Sequence, residues 1–157
     1  MRRAFCLISV LAAAACGSAS GSASRHEPAT AVPGQPVPAA AVQRLTEIVN
    51  QAVRVNDGHG VAWASAVVTT RAKALTSATP GDFVPNDEET VVYLVTVKGH
   101  FEARATPRPH RAPVPTGTYM SLVINAETLA RADFGLGHKP PPVVQASFGP
   151  VTYLNLG

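Results

Sequence analysis

The cysteine content of the chain limits the ways in which its fold can be held together. There are two cysteines, and Cys6 lies inside an apolar run that ends just before Cys16. If this run is removed, a single thiol remains. A disulfide framework needs pairs of cysteines, and a metal-stabilised fold needs several ligands. The chain is therefore expected to fold around a hydrophobic core rather than around covalent or metal links.

The first 15 residues have the three parts of an export signal, so residues 1–15 are predicted to be a signal peptide. Arg2 and Arg3 form the positive segment, residues 4–15 are apolar, and small residues precede position 16. An apolar run of about a dozen residues is too short to cross roughly 30 Å of hydrocarbon as a helix. No later segment is long and apolar enough either, so a transmembrane anchor is not expected.

The residues around the expected cleavage point resemble the lipobox of bacterial lipoprotein precursors. Ala14, Ala15 and Cys16 match the end of this motif, whereas Ala13 stands where the family has Leu. The resemblance implies that Cys16 is lipidated and that the protein is held on the extracytoplasmic side of the cell membrane. Two or three acyl chains anchor a protein firmly without a basic patch. The alternative is an ordinary cleavage after Ala15 that releases a secreted protein.

The remainder of the chain divides into a tether and one domain. Residues 16–38 are rich in Ser, Ala, Gly and Pro, which is the composition of a disordered, flexible linker. Residues 39–157 are enough for one modest hydrophobic core. Removing Arg2 and Arg3 from the 13 basic residues leaves 11, against 10 acidic residues. This near-neutral balance gives no reason to expect a nucleic-acid partner.

Hydrophobic periodicity predicts one helix and three or four strands in the domain. Apolar residues recur at three- and four-residue steps over residues 39–56, which predicts an amphipathic helix. Alternating patterns predict strands over 61–75, 90–101 and 118–125, and a weaker pattern predicts a fourth over 129–134. The sequence therefore predicts an α+β fold in which the N-terminal helix packs on a three- to four-stranded antiparallel sheet.

The order of these elements and two short motifs resemble PepSY-type and cystatin-like modules. One motif is Gly99-His100-Phe101 at the end of a strand, and the other is Leu-Val-Ile-Asn-Ala-Glu-Thr over residues 122–128. PepSY-type strands continue through a Gly into a tight turn, and Leu129 takes that place here. The resemblance implies a sheet with one partly open face and a role in regulating an envelope protease or sensor.

Nothing in the sequence indicates a catalytic residue, a metal site or a cofactor. No serine lies in a Gly-x-Ser-x-Gly turn or has suitably spaced His and Asp partners. The acidic cluster Asp87-Glu88-Glu89 lacks the pattern of a calcium loop and is predicted to be a solvated turn. The histidines are scattered singly, with no partner two to four residues away: His26, His59, His100, His110 and His138. A metal site assembled only in the fold stays open.

One concentrated basic segment is a candidate binding site for a partner or an anion. Arg104, Arg108, His110 and Arg111 are interleaved with prolines. Such a segment could lie against anionic headgroups or a polyanionic wall polymer. It could also bind a partner as an extended strand or polyproline helix, or be a solvated hairpin loop. Trp63 and Tyr93, on different strands, are predicted to be core or sheet-face residues. They could form a platform for a ligand only if the free face of the sheet is concave.

Together these observations predict a non-enzymatic, lipid-anchored extracytoplasmic protein that binds or regulates a partner in the cell envelope. Its expected partners are the membrane, through the N-terminal lipid, and an envelope protein. One alternative is a small-ligand carrier or weak enzyme that uses a concave sheet face of the cystatin-like kind. A pocket lined by aromatic residues and a few convergent polar groups would favour that alternative. A further alternative is that the protein is a structural spacer without a specific ligand.

Overall fold

The computed structural model describes residues 30–78, 89–104, 107–141 and 145–157. The expected signal peptide, Cys16 and most of the expected tether lie outside these residues. The described residues form two α-helices, α1 (Ala39–Val55) and α2 (Arg71–Ala78), and a short 3-10 helix, Gln145–Phe148. They also form five strands: β1 (His59–Thr70), β2 (Val91–Glu102), β3 (Thr116–Asn125), β4 (Arg131–Gly137) and β5 (Thr152–Leu154).

The five strands form one antiparallel sheet in the order β4-β3-β2-β1-β5. Strands β1 to β4 follow one another as a meander, and β5 returns to pair with the free edge of β1. The protein is therefore α+β, as the sequence predicts. Within the described ranges, no helix is both long enough and apolar enough to cross a membrane.

Helix α1 covers one face of the sheet with the apolar stripe seen in its sequence. Leu45, Val49 and Ala52 are the buried residues of this stripe. Ala64 and Ala66 of β1 are buried in the same cluster. The core between helix and sheet takes alternate residues from three strands: Ala64, Ala66, Val68, Tyr93, Val95, Val97, Met120, Leu122 and Ile124.

The second face of the sheet is covered by α2 and the 3-10 helix at one end. Both helices bring apolar side chains over the ends of β1, β2 and β3. This smaller cluster contains Val67, Ala74, Leu75, Val92, Leu94 and Val123, with Phe148 and Val151 packed against it. No described helix contributes to a hydrophobic cluster on the rest of the second face.

Two elements differ from the sequence prediction. The strand expected over 61–75 ends at Thr70, and α2 follows it directly. Ala74 and Leu75 of α2 are adjacent in sequence, and both are buried against the second face. Strand β5 was not expected, because three residues are too short to show an alternating pattern. The sheet therefore has five strands rather than three or four.

The end of the expected tether lies against the domain. Val37 is 6% exposed and belongs to the core under α1. The backbone N–H of Gly34 donates to the carbonyl of Val68 at 3.1 Å, next to the short pairing of β5 with β1. The packed part of the chain therefore begins before α1.

The turn between β3 and β4 is closed by hydrogen bonds to Asn125. Its side-chain Oδ1 accepts from the backbone N–H groups of Glu127 at 2.9 Å and Thr128 at 2.8 Å. Leu129, where PepSY-type strands have Gly, has a φ of 56°. This left-handed conformation is costly for a branched side chain. The backbone N–H of Leu129 donates to the Asn125 carbonyl at 3.0 Å, which holds it there.

Candidate functional site

A row of two aromatic residues and a lysine crosses the part of the second face that no described helix covers. Trp63 of β1 pairs with Lys98 of β2, and Lys98 pairs with Tyr119 of β3. Their neighbours Ala64, Val97 and Met120 point into the core under α1. Strand alternation therefore places the row on the opposite face. The ring centroids of Trp63 and Tyr119 are 6.4 Å apart in an edge-on arrangement, over the register position of Lys98.

Tyr153 of β5 extends this row into an aromatic patch, defined as Trp63, Lys98, Tyr119 and Tyr153. Tyr153 pairs with Ser65, two residues beyond Trp63 on β1, and therefore shares its face. Trp63 is 37% exposed and Tyr153 is 71% exposed, while Lys98 is also exposed. Exposed Trp and Tyr are enriched where proteins bind other molecules, since they combine apolar area with a polar group.

A row of hydroxyl side chains lies beside the patch and is buried. Ser65, Thr96 and Ser121 are paired across the three central strands. Thr96 is 2% exposed, and its Oγ1 has no hydrogen-bond partner among the described residues. Leaving a buried hydroxyl without a partner costs roughly 1–3 kcal/mol. The sheet therefore keeps a polar side chain next to the patch at a cost to stability.

A groove runs along the other side of Tyr119. Gly135 and Gly137 of β4 pair with Ser121 and Tyr119, so the edge strand has no side chain at these two positions of this face. The space left by these glycines is a groove of about 390 Å³, bounded beyond β4 by residues 138–141. His138 and Lys139 are the titratable groups besides Tyr119 among the described lining residues. The patch and the groove therefore offer basic groups to an occupant.

The structure places the predicted basic segment in the connection between β2 and β3, beyond the patch: Arg104, Arg108, His110 and Arg111. The guanidinium of Arg104 lies 2.7 Å from a Glu102 carboxylate oxygen and 3.5 Å from one of Asp57. Nη1 of Arg108 donates to the backbone oxygen of Arg104 at 3.2 Å. These two arginines are therefore held by local contacts, and the binding role of the four residues stays a prediction.

Three histidines that are distant in sequence lie around one cavity at the end of β1 and β2. His59 and His100 are directly paired, and their rings are stacked with centroids 5.4 Å apart. His138 lines the same cavity of about 250 Å³. Sequence spacing could not reveal this, because strand register brings them together. In the described part of the chain, no group of three His, Cys, Asp or Glu side chains could hold a metal ion.

Tyr93, considered with Trp63 in the sequence, lies on the other face of the sheet. It is buried in the core under α1. Burial raises the pKa of its hydroxyl above the ordinary value of 10.0, because removal from water disfavours the phenolate. Tyr93 is therefore a core residue, whereas Trp63 is on the exposed surface.

Comparisons of this chain with protein-family models, with curated proteins and with solved structures find no match. The resemblance to PepSY-type and cystatin-like modules stays a prediction. The lipid attachment at Cys16 also stays a prediction, since that residue lies outside the described ranges.

Proposed function

We propose that this protein is a lipid-anchored, non-enzymatic module of the cell envelope that binds an acidic, extended segment of another envelope protein. The signal peptide and Cys16 support the location, as their sequence resembles a lipoprotein precursor. The binding proposal rests on the aromatic patch and on the adjoining groove, which is lined by His138 and Lys139. Residues 16–29 would serve as the tether between the lipid and the packed domain.

A protein segment is the favoured occupant because of the side chains that are exposed. Trp and Tyr are the residues on which protein interfaces most often depend, since they bury a large rigid area at low entropic cost. Trp63 and Tyr153 are two of the large hydrophobic side chains that remain exposed in the described residues. Both lie on one sheet face, so a single partner segment can contact them together.

An acidic occupant is favoured by the charges around the patch. Lys98 lies between Trp63 and Tyr119, and Lys139 and His138 line the adjoining groove. No acidic residue belongs to the patch or to the described lining of the groove. Carboxylates of a partner would thus meet complementary charge, which improves both specificity and the rate of association.

Site-specific photo-crosslinking in intact membranes tests this proposal. A benzophenone amino acid at position 153 should crosslink to a discrete envelope protein, because the Tyr153 side chain is 71% exposed within the patch. The same amino acid at position 43 is the matched control, since Gln43 is exposed on the outer side of α1. Crosslinks of equal pattern and yield from both positions would contradict the proposal.

A charge reversal separates a specific complex from unspecific capture. Lys98→Glu should abolish the crosslink from position 153, as it places a carboxylate in the middle of the patch. Arg44→Glu is the control, because Arg44 is exposed on α1 and makes only a surface ion pair with Glu47 at 3.7 Å. Loss of the crosslink in both variants, or in neither, would refute a role for the basic charge of the patch.

A small-ligand carrier is the second candidate, and the groove favours it. Its volume of about 390 Å³ lies in the range of small-molecule sites, and Tyr119 and Ser121 supply an aromatic ring and a hydroxyl. Ser121→Trp would fill the groove without changing Tyr153. If the protein is a carrier, native mass spectrometry should detect a co-purifying ligand on the wild type and none on Ser121→Trp. If the wild-type protein carries no such ligand, the carrier function is excluded.

A further inference from the structure

We propose that the end of the sheet farthest from the tether binds a polyanionic polymer of the cell wall, such as one with phosphate groups in its backbone. We call it the basic end and define it by five exposed side chains near the ends of α1 and β4 and between β2 and β3: Arg54, Arg104, Arg108, Arg111 and Lys139. Guanidinium groups match phosphate in a bidentate geometry. The surface does not depend on the aromatic patch, whereas the choice of partner rests on the proposed lipid anchor.

The two ends of the sheet differ in charge. The basic end also carries Asp57 and Glu102, and their carboxylate oxygens lie 3.5 Å and 2.7 Å from the same guanidinium, that of Arg104. The other four basic side chains have no acidic partner among the described residues. At the opposite end, the basic and acidic residues that the structure describes are equal in number: Arg71, Lys73, Arg131, Glu89, Glu127 and Asp133. Positive charge is therefore concentrated at one end, where it attracts a polyanion.

Hydrogen bonds hold the described part of the connection between β2 and β3, which carries three of the arginines. The backbone N–H of Ala103 donates to the Pro115 carbonyl at 2.9 Å and closes the base of the loop. The backbone N–H of Ala112 donates to the Pro109 carbonyl at 3.0 Å and forms a turn. Four prolines between positions 107 and 115 restrict the backbone further. Because the loop is already ordered, less entropy is lost when a polymer binds to it.

Arg111 stands at a position of this turn where glycine would be favoured. Its φ of 71° lies in the left-handed region, which is strained for a residue with a Cβ. It is the third residue of the turn closed between Pro109 and Ala112, where Gly or Asn is usual. Strained residues of this kind cluster at functional sites. The charged side chain at this position therefore favours a binding role for the loop.

The tether joins the domain at the opposite end of the sheet, which favours the wall over the membrane as the partner. Thr30, the first described residue, lines a cavity of about 510 Å³ with Thr90 and Asn125, which lie at the start of β2 and the end of β3. A strand of 12 residues such as β2 is about 40 Å long. A Ser- and Gly-rich segment of the length of residues 16–29 spans about 20 Å on average. The basic end is therefore expected to face away from the membrane surface.

Calorimetric titration with linear polyphosphate tests the surface on the full chain of the Cys16→Ala variant, which lacks the predicted lipidation site. We expect saturable binding that is weakened at least about tenfold when Arg108→Glu and Arg111→Glu are combined, because two charge-assisted contacts become repulsive. Arg44→Glu combined with Lys73→Glu is the matched control. It makes the same change in net charge at other exposed positions, and at physiological salt charges are screened beyond about 8 Å.

Arg111→Gly separates binding from folding. Because glycine adopts the left-handed backbone without strain, this variant should melt at no lower temperature than its parent and yet bind polyphosphate more weakly. No saturable binding by the parent, or equal affinity in the double variant and its control, would overturn the proposal. Undiminished affinity in Arg111→Gly would overturn the role of the strained turn.

Photo-crosslinking in intact cells tests the orientation on the wild-type background. A benzophenone amino acid at position 110, next to Arg111, should link the protein to cell walls that have been washed in boiling detergent. The same amino acid at position 127 is the matched control and should give no such link, since Glu127 is exposed at the end where the tether joins. Links from position 110 to membrane lipid would contradict the choice of a wall polymer. Failure of the lipid anchor would leave the calorimetric result unchanged, so the two proposals can fail separately.

Discussion

Replacing Thr96 with valine is expected to stabilise the protein, although a polar residue is being removed from a sheet. The Thr96 side chain is 2% exposed, and its Oγ1 has no hydrogen-bond partner among the described residues. Valine has nearly the same shape and an equal preference for strands. The variant therefore removes the desolvation cost of an unpaired hydroxyl, which is roughly 1–3 kcal/mol, and creates no cavity.

Thermal and urea unfolding of both proteins measure this effect. For a domain of about 120 residues, 1 kcal/mol corresponds to about 3–5 °C in melting temperature, so Thr96→Val should melt about 3–15 °C higher. The urea midpoint should rise while the dependence of the free energy on urea concentration stays the same, because the surface exposed on unfolding does not change.

Thr46→Val is the matched control, because the same chemical change there removes a hydrogen bond that is made. The hydroxyl of Thr46 donates to the backbone oxygen of Val42 at 2.9 Å in α1. Thr46→Val should therefore lose about 0.5–1.5 kcal/mol. If Thr96→Val is destabilised to the same extent as Thr46→Val, the Thr96 hydroxyl has a partner in solution and the reasoning is refuted.

Three further predictions concern the core, the sheet edge and the N-terminus. Because burial raises the pKa of Tyr93, the unfolded chain ionises first above pH of about 10, and the free energy of unfolding falls there by up to about 1.4 kcal/mol per pH unit. Between pH 8 and 11, the free energy of unfolding should decline less in Tyr93→Phe than in the wild type. An equal decline in the two proteins would refute this prediction. Gly117→Ala should cost about 1–3 kcal/mol in urea unfolding, because its Cβ would lie 2.9 Å from backbone atoms of Gly137. Gly137→Ala, whose Cβ meets nothing closer than 3.5 Å, is the control, and equal losses would contradict the geometry. Cys16→Ala should abolish palmitate labelling and release the protein from membranes; labelling that persists would exclude lipid attachment at Cys16.

The helix and the central strands are predictable because their periodicity is long. Residues 39–56 complete several helical turns, and α1 is found at Ala39–Val55. Residues 90–101 alternate over many positions, and β2 is found at Val91–Glu102. By contrast, α2 is eight residues long and β5 is three. Elements this short show no reliable period. The helix α2 is defined by its packing on the second face, and β5 is defined by its pairing with β1.

The candidate site is less predictable, since it depends on register between strands. Alternation within β1 already places Trp63 and Ser65 on one face. It cannot indicate that Lys98 and Tyr119 complete the row, or that His59 meets His100. The pairing of His59 with His100 also lies beyond an irregularity in the register of β1 and β2, between His59 and Trp63. Local sequence patterns do not specify such shifts.

Binding of an acidic polypeptide at the aromatic patch is tested most directly through Trp63, which is the only tryptophan of the chain. Its emission can be followed while the full chain is titrated with a random copolymer of glutamate and tyrosine. The account predicts a saturable change in emission whose affinity is at least about tenfold weaker in Lys98→Glu, or about 1.4 kcal/mol, and unchanged in Arg44→Glu. No change in Trp63 emission, or equal affinity in the wild type and Lys98→Glu, would contradict it.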